Sequence, residues 1–221
     1  MVASTFEYPD GPRQGQRGVA MAFALRDGER WTLVDTGIGQ GNAEIDDVFR
    51  PTGDPLPDLL AGHGVAVDAI ERVINSHLHF DHSGQNRHFP GVPILVQEAE
   101  WAAAQAPDYT VRGWIDFPGA TYRRVAGDKR VAPGIRVVAT PGHTPGHQSV
   151  VARVNDRVVV LAGQACYSPD EWAASGADID GADTAWDQAA YARSLDALRA
   201  LRPDEVWFGH ATESWTRAPV G

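Results

Sequence analysis

The chain has 221 residues and a formal net charge of -10, which argues against a nucleic-acid or anionic-membrane partner because phosphate recognition needs clustered Lys and Arg. Its 43% hydrophobic and 22% charged content is ordinary for a soluble protein, and its length suits one core, so a single domain over residues 1–221 is expected. No apolar run approaches the ~18 residues of a membrane span, and a lone Cys166 excludes an intramolecular disulfide, so a soluble, cytoplasmic protein is expected.

The first residues, Met1 to Pro9, have neither the basic nor the long apolar region of a secretory signal. Val19 to Leu25 and Trp31 to Val34 read as strands around the turn Arg26-Asp27-Gly28-Glu29, and the second runs into Asp35-Thr36-Gly37. Residues 37 to 57, rich in Gly, Pro and Asp, read as a long loop. Leu56 to Gly64 reads as a short helix stopped by its glycines, and Ala69 to Ile74 as a strand. Val92 to Val96 is a further strand, and Gln97 to Ala104 has helical composition. Residues 105 to 124 carry Tyr109, Trp114, Phe117 and Tyr122. Core packing and an apolar wall over a site are both open to them.

Gly134 to Ala139 reads as a strand that delivers Thr140-Pro141-Gly142-His143-Thr144-Pro145-Gly146-His147. Ser149 to Val154 and Arg157 to Ala162 form a hairpin around Asn155-Asp156, which ends at Gly163-Gln164-Ala165-Cys166-Tyr167. Residues 168 to 185 read as an acidic loop. Ala185 to Leu201 is the clearest helix, with Trp186, Ala190, Leu195, Leu198 and Leu201 as packing positions. Glu205 to Phe208 is a last strand, delivering Gly209-His210. Strands alternate with helices, and His-bearing loops follow strand ends. That pattern predicts a layered α/β domain with its site along one sheet edge.

The chemistry concentrates in His77-Leu78-His79-Phe80-Asp81-His82, four metal-ligand-type side chains in six residues. In an extended segment alternate residues share a face, so His77 and His79 can converge on one ion. A turn at Phe80 would direct Asp81 and His82 to a second position.

Asp35-Thr36-Gly37, the run at 77 to 82, His143, the Gly163-Gln164 position and Gly209-His210 together resemble the metallo-β-lactamase superfamily, over roughly residues 18 to 212. The resemblance implies an αββα sandwich with a metal site at the sheet edge. It implies His77, His79 and His143 as ligands of one metal, Asp81, His82 and His210 as ligands of a second, and Asp35 as a residue that orients ligands. Zinc is the expected cofactor, one or two ions, with iron or manganese as alternatives.

The chain departs from the family at Gln164, where a bridging Asp is usual. A neutral amide oxygen is a weaker ligand that rarely bridges, so the second metal should bind less tightly or not at all. Asp170, Glu171, Asp178, Asp180 and Asp183 are the nearby carboxylates that could substitute. Cys166 reads as a small buried residue, His147 as a residue that orients a ligand, and His63 and His88 as surface or structural.

Within the superfamily the ligand spacing and Tyr167 resemble the quorum-quenching N-acyl homoserine lactonases. This implies a metal-dependent hydrolase that opens a lactone or related ester through a metal-bound hydroxide. Asp81 would hold the nucleophile and return a proton to the leaving alkoxide, and Tyr167 would donate to the developing oxyanion. Simple packing is the other role open to Tyr167. The expected partner is a small acyl lactone or ester; a homodimer is one of the assemblies left open. A glyoxalase II-like thioester hydrolase, an iron sulfur dioxygenase and a non-catalytic ligand-binding member with a degraded second metal site are the alternatives.

Overall fold

Strands form where apolar residues alternate or run together, and several helices begin at a side-chain cap. The computed structural model describes residues 1–174 and 185–218. In chain order it holds β1 (Val2–Glu7), β2 (Arg17–Asp27), β3 (Arg30–Val34), α1 (Ala43–Val48), α2 (Leu56–Gly62), β4 (Ile70–Ile74), α3 (Phe80–Ser83) and β5 (Pro93–Gln97). There follow α4 (Glu98–Ala103), α5 (Arg112–Ile115), β6 (Thr121–Val125), β7 (Lys129–Ala132), β8 (Ile135–Ala139), β9 (Gln148–Val154) and β10 (Arg157–Leu161). The last elements are α6 (Pro169–Ala173), α7 (Gln188–Ala200), β11 (Glu205–Trp207) and β12 (Trp215–Thr216). No helix among the described residues is long and apolar enough to cross a membrane.

The chain divides into two compact units. The first comprises Met1–Val96 and Ala104–Arg123. It is built on a sheet of order β1-β2-β3-β4-β5-β6, in which β3, β4 and β5 run parallel. Leu33, Val73, Ile74 and Ile94 are fully buried on these central strands. Burying each such side chain is worth about 1.5–3 kcal/mol. Val34 pairs with Ile74, so Asp35 and Asn75 leave the sheet at the same edge. Phe6, Ala20, Ile38, Ile45 and Trp114, with Phe49 and Phe80 against them, form a core cluster that anchors the loop after Asp35 and the start of α3.

The second unit comprises Gln97–Ala103 and Arg124–Gly221. Its sheet has the order β12-β11-β10-β9-β8-β7, with β10 and β11 parallel. Leu161 pairs with Trp207, so Gln164 and His210 leave from the same edge. Ala139 pairs with Gln148 and Val150 with Leu161, which puts the 140–147 turn at that edge too. Val160, Leu195, Leu198, Val206 and Phe208 make its fully buried centre.

Several sequence expectations are corrected. Residues 37 to 57 are not all loop: Asn42 accepts the Glu44 and Ile45 N–H groups and starts α1. Residues 168 to 174 are not loop either, because Ser168 caps α6 by accepting the Glu171 N–H and Pro169 suits its first turn. The remainder of that stretch, with Asp178, Asp180 and Asp183, lies outside the described residues. α7 begins at Gln188, since Asp187 caps it through the Ala190 N–H. Trp186 therefore precedes the helix and is 67% exposed instead of packed. The hairpin turn at Asn155 and Asp156 forms as expected, both with positive φ.

Candidate metal centre

The edge where β3 and β4 end together carries the first donors. Asp35 adopts a left-handed backbone (φ 56°), a conformation held only where the surroundings over-determine it. Its carboxylate is 2% exposed, which a charge tolerates only with dense hydrogen bonding. Oδ1 accepts the Ser76 N–H at 2.7 Å, and Oδ2 accepts the Ser76 hydroxyl at 2.8 Å and His82 Nδ1–H at 2.9 Å. Ser76 has spent its one proton on Asp35, so His77 Nδ1, 3.0 Å from Oγ, is the donor in that pair. Both buried rings are thereby held with Nδ1 protonated and the lone pair on Nε2, the nitrogen a metal ion would take.

Thr36 and Asn75 close the end of α3. The Thr36 N–H, the Thr36 hydroxyl and the Asn75 amide donate to the His82 carbonyl at 2.8, 3.2 and 3.2 Å. A Cβ on Gly84 would stand 2.2 Å from the Gly39 nitrogen, so glycine alone lets these two loops meet.

His79 is extended (φ -63°, ψ 153°) and precedes α3. Its Nδ1 lies 3.1 Å from His77 Nε2. Two imidazole nitrogens on one tetrahedral ion at ~2.0 Å stand ~3.3 Å apart, so the spacing fits a shared ion. The turn expected at Phe80 is the first turn of α3. Donor atoms of His77, Asp81 and His82 all lie within 4.8 Å of one another. Two imidazoles and a carboxylate suit a divalent metal ion. The Tyr109 ring lies 4.8 Å from that of His79, whereas Trp114 and Phe117 are buried in the core. Core packing thus holds for Trp114 and Phe117, and Tyr109 makes a ring contact with His79.

In the second unit, His147 sets the backbone of Gln164. It is fully buried, and its Nε2 accepts the Gln164 N–H at 2.9 Å, so Nδ1–H donates to Thr140 Oγ1 at 2.9 Å. The Thr140 hydroxyl meets Ser149 Oγ, which donates to the Ala162 carbonyl. The Gln164 side chain donates from Nε2 to Tyr167 Oη at 2.6 Å, and its Oε1 is buried without a hydrogen-bond partner. A buried carbonyl left in that state costs about 1–3 kcal/mol. A cation is a partner that an amide oxygen can take, and this orphan atom fits one.

Tyr167 makes polar as well as ring contacts. Its Oη is 3.3 Å from His143 Nδ1, and its ring stacks on His210 with centroids 5.8 Å apart. Glu171 holds it there, accepting the Tyr167 N–H at 2.6 Å and the Tyr191 hydroxyl at 2.8 Å. These bonds commit Glu171 to structure, and Asp170 is exposed, so neither is placed as a substitute bridge. Cys166 lies in the core, where burial and then the Glu171 carboxylate push its thiol well above the usual range. His63 is exposed. His88 is half-buried, its pKa lowered by burial and by Arg87.

The model of the Metallo-beta-lactamase superfamily matches residues 15–210. The chain belongs to that superfamily. Its two mixed sheets with helices are the metallo-β-lactamase fold. An N-acyl homoserine lactonase of a Bacillus species is 32% identical to this superfamily member over 204 residues, 86% of this chain and 80% of the relative. The lactonase AttM of Rhizobium radiobacter is 30% identical, over 77% of this chain and 70% of its own. The solved structure of an N-acyl homoserine lactone hydrolase, with the product N-hexanoyl-L-homoserine at its catalytic metal centre, matches with a TM-score of 0.79. That match has 26% identity and covers 94% of this chain and 90% of the hydrolase.

Among metallo-β-lactamase-type ligand residues, the helpers are what sequence reading overlooked. Ser76, Thr36 and Asn75 are ordinary polar residues until their partners are known. The available signal was position, because Thr36, Asn75 and Ser76 directly follow the ends of β3 and β4.

Proposed function

We propose that this chain, acting as one domain over residues 1–221, is a metal-dependent hydrolase that opens the lactone ring of acyl homoserine lactones. The observation that carries the reading is the donor set His77, Asp81 and His82, with the two rings oriented by Asp35 and Ser76, in a chain 32% identical to a lactonase. The proposed ligands are His77, His79 and His143 for one ion and Asp81, His82 and His210 for a second. Gln164 stands at the sequence position of the usual bridging carboxylate. Zinc is the proposed ion, and the cytoplasm, which suits a single reduced Cys166, the proposed location.

When bound, a divalent metal supplies Lewis acidity toward the carbonyl and lowers the pKa of water. The remaining work falls to the chain's own side chains. Asp81 takes the proton lost by the attacking water and returns it to the alkoxide released when the ring ester bond breaks. Tyr167 donates its hydroxyl proton in a hydrogen bond to the carbonyl oxygen as charge develops there. Asp35 and Ser76 keep the His77 and His82 rings from turning. Tyr109, beside His79, offers an aromatic surface to an acyl chain. Water adds at the carbonyl carbon, the ring C–O bond breaks, and the products are one carboxylic acid and one hydroxyl on a single opened molecule.

Zinc-loaded protein should release one acid equivalent per lactone opened, followed in a pH-stat, and elemental analysis should find zinc. A fully metallated protein that opens no acyl lactone overturns the activity. Resident iron overturns zinc and favours the sulfur dioxygenase reading.

A further inference from the structure

We propose that Gln164 is a positioning residue that fixes Tyr167 as a hydrogen-bond donor, and that the same amide offers a neutral oxygen to the cation. The catalytic part of this rests on the hydrolase reading above; the hydrogen-bond part does not.

An amide has two unlike ends. Nε2–H only donates and Oε1 only accepts. Nε2 stands 2.6 Å from Tyr167 Oη, so it occupies a lone pair of the phenol and turns the phenol's own proton away from residue 164. A carboxylate at this position has no N–H to offer Oη, so any hydrogen bond between the two would take the phenol's own proton. The exchange of carboxylate for amide therefore reverses the polarity of one short hydrogen bond. What it gives up is one negative charge at residue 164. What it gains is a hydroxyl whose proton is already directed elsewhere.

The orientation of the amide is not arbitrary. His147 holds the Gln164 backbone, and Oε1 is the buried end without a hydrogen-bond partner. Turning the amide over would aim two N–H donors where a cation is expected, which is repulsive. The phenol is equally constrained. Glu171 holds its backbone, and its ring stacks on His210. His143 Nδ1 is 3.3 Å from Oη, and a neutral imidazole whose single lone pair is given to a cation has none left to accept the phenol proton.

The test uses the full chain, the variants Gln164→Leu, Gln164→Asp and Tyr167→Phe, and the two double variants that join each Gln164 change to Tyr167→Phe. In the metal-free protein, one Gln164 side-chain amide proton should be shifted in the 1H–15N spectrum, and Tyr167→Phe should return it to the ordinary range. With zinc saturating, Tyr167→Phe should lower kcat about a hundredfold with little change in KM, the size seen when one oxyanion donor is removed. Gln164→Leu should lower kcat about fivefold, as for one neutral hydrogen bond, and adding it to Tyr167→Phe should cost less than about twofold more.

Gln164→Asp should raise the bound zinc per chain and shrink the Tyr167→Phe penalty to less than about tenfold. Because Gln164→Leu removes a buried polar group, the Gln164→Asp background provides the same comparison if the leucine variant does not fold. An amide resonance unmoved by Tyr167→Phe, or additive penalties at 164 and 167, overturns the proposal. If wild-type protein opens no lactone, the activity reading fails alone, and the amide resonance still decides whether Gln164 donates to Tyr167.

Discussion

Asp35 joins three donors to one carboxylate and thereby controls two rings at once. Asp35→Asn tests this cleanly, because Asn also tolerates the left-handed backbone. The amide would point N–H groups at a hydroxyl or an imidazole N–H that must itself donate. Zinc affinity, measured by competition with a chelator, should fall about 10- to 100-fold. An unchanged affinity would mean that His82 is oriented by other contacts. At this scale the candidate ligands in His77 to His82 were legible because their chemistry is local and dense. Ser76 was not, because its role exists only once Asp35 is beside it. Glu171 was misleading for the same reason. As a letter it is one more acidic residue, and in the fold it is an acceptor already taken by Tyr167 and Tyr191.

Between residue and molecule stands the packing of α7 on the His143 turn. The Asp187 N–H donates to the Gly142 carbonyl at 3.0 Å, and Ser194 Oγ donates to the Pro141 carbonyl at 2.6 Å. Gly142 has φ 147°, and a Cβ there would stand 2.3 Å from Tyr191 Cα. Backbone cannot give way as a side chain can. Gly142→Ala should therefore cost about 3 kcal/mol or more, seen as a lower denaturant midpoint with the slope kept. A stability within about 0.5 kcal/mol of wild type would show that the turn relaxes. The long helix was readable from its apolar spacing, as were the central strands. α1 and α6 were hidden because Asn42 and Ser168, which start them, have the composition of loops. The terminal strands β1 and β12 went unread because they lie at sheet edges, where pairing depends on a partner remote in sequence.

For the whole molecule, the layered α/β class and a site at strand ends could be read from the sequence. The division into units could not, since Gln97–Ala103 belongs with residues far downstream. The reason is visible at Glu100, a buried carboxylate that accepts the Thr144 hydroxyl at 2.6 Å and backs directly onto Gly146. Metal removal acts at this scale. An ion that binds only folded protein stabilises it by about 2.7 kcal/mol at a hundred times its Kd. Chelation should thus lower Tm by roughly 5–10 °C, in proportion to the zinc withdrawn. A Tm indifferent to chelator would show that the donors are preorganised without metal and bind it weakly. The strand register has a further use. Asn155 and Asp156 turn in solvent at the end of β9 and β10 remote from Gln164, about 20 Å away along β9 at ~3.3 Å per residue. A fluorophore or an immobilisation linker spliced into that hairpin would turn the protein into a surface-bound sensor without touching the chemistry.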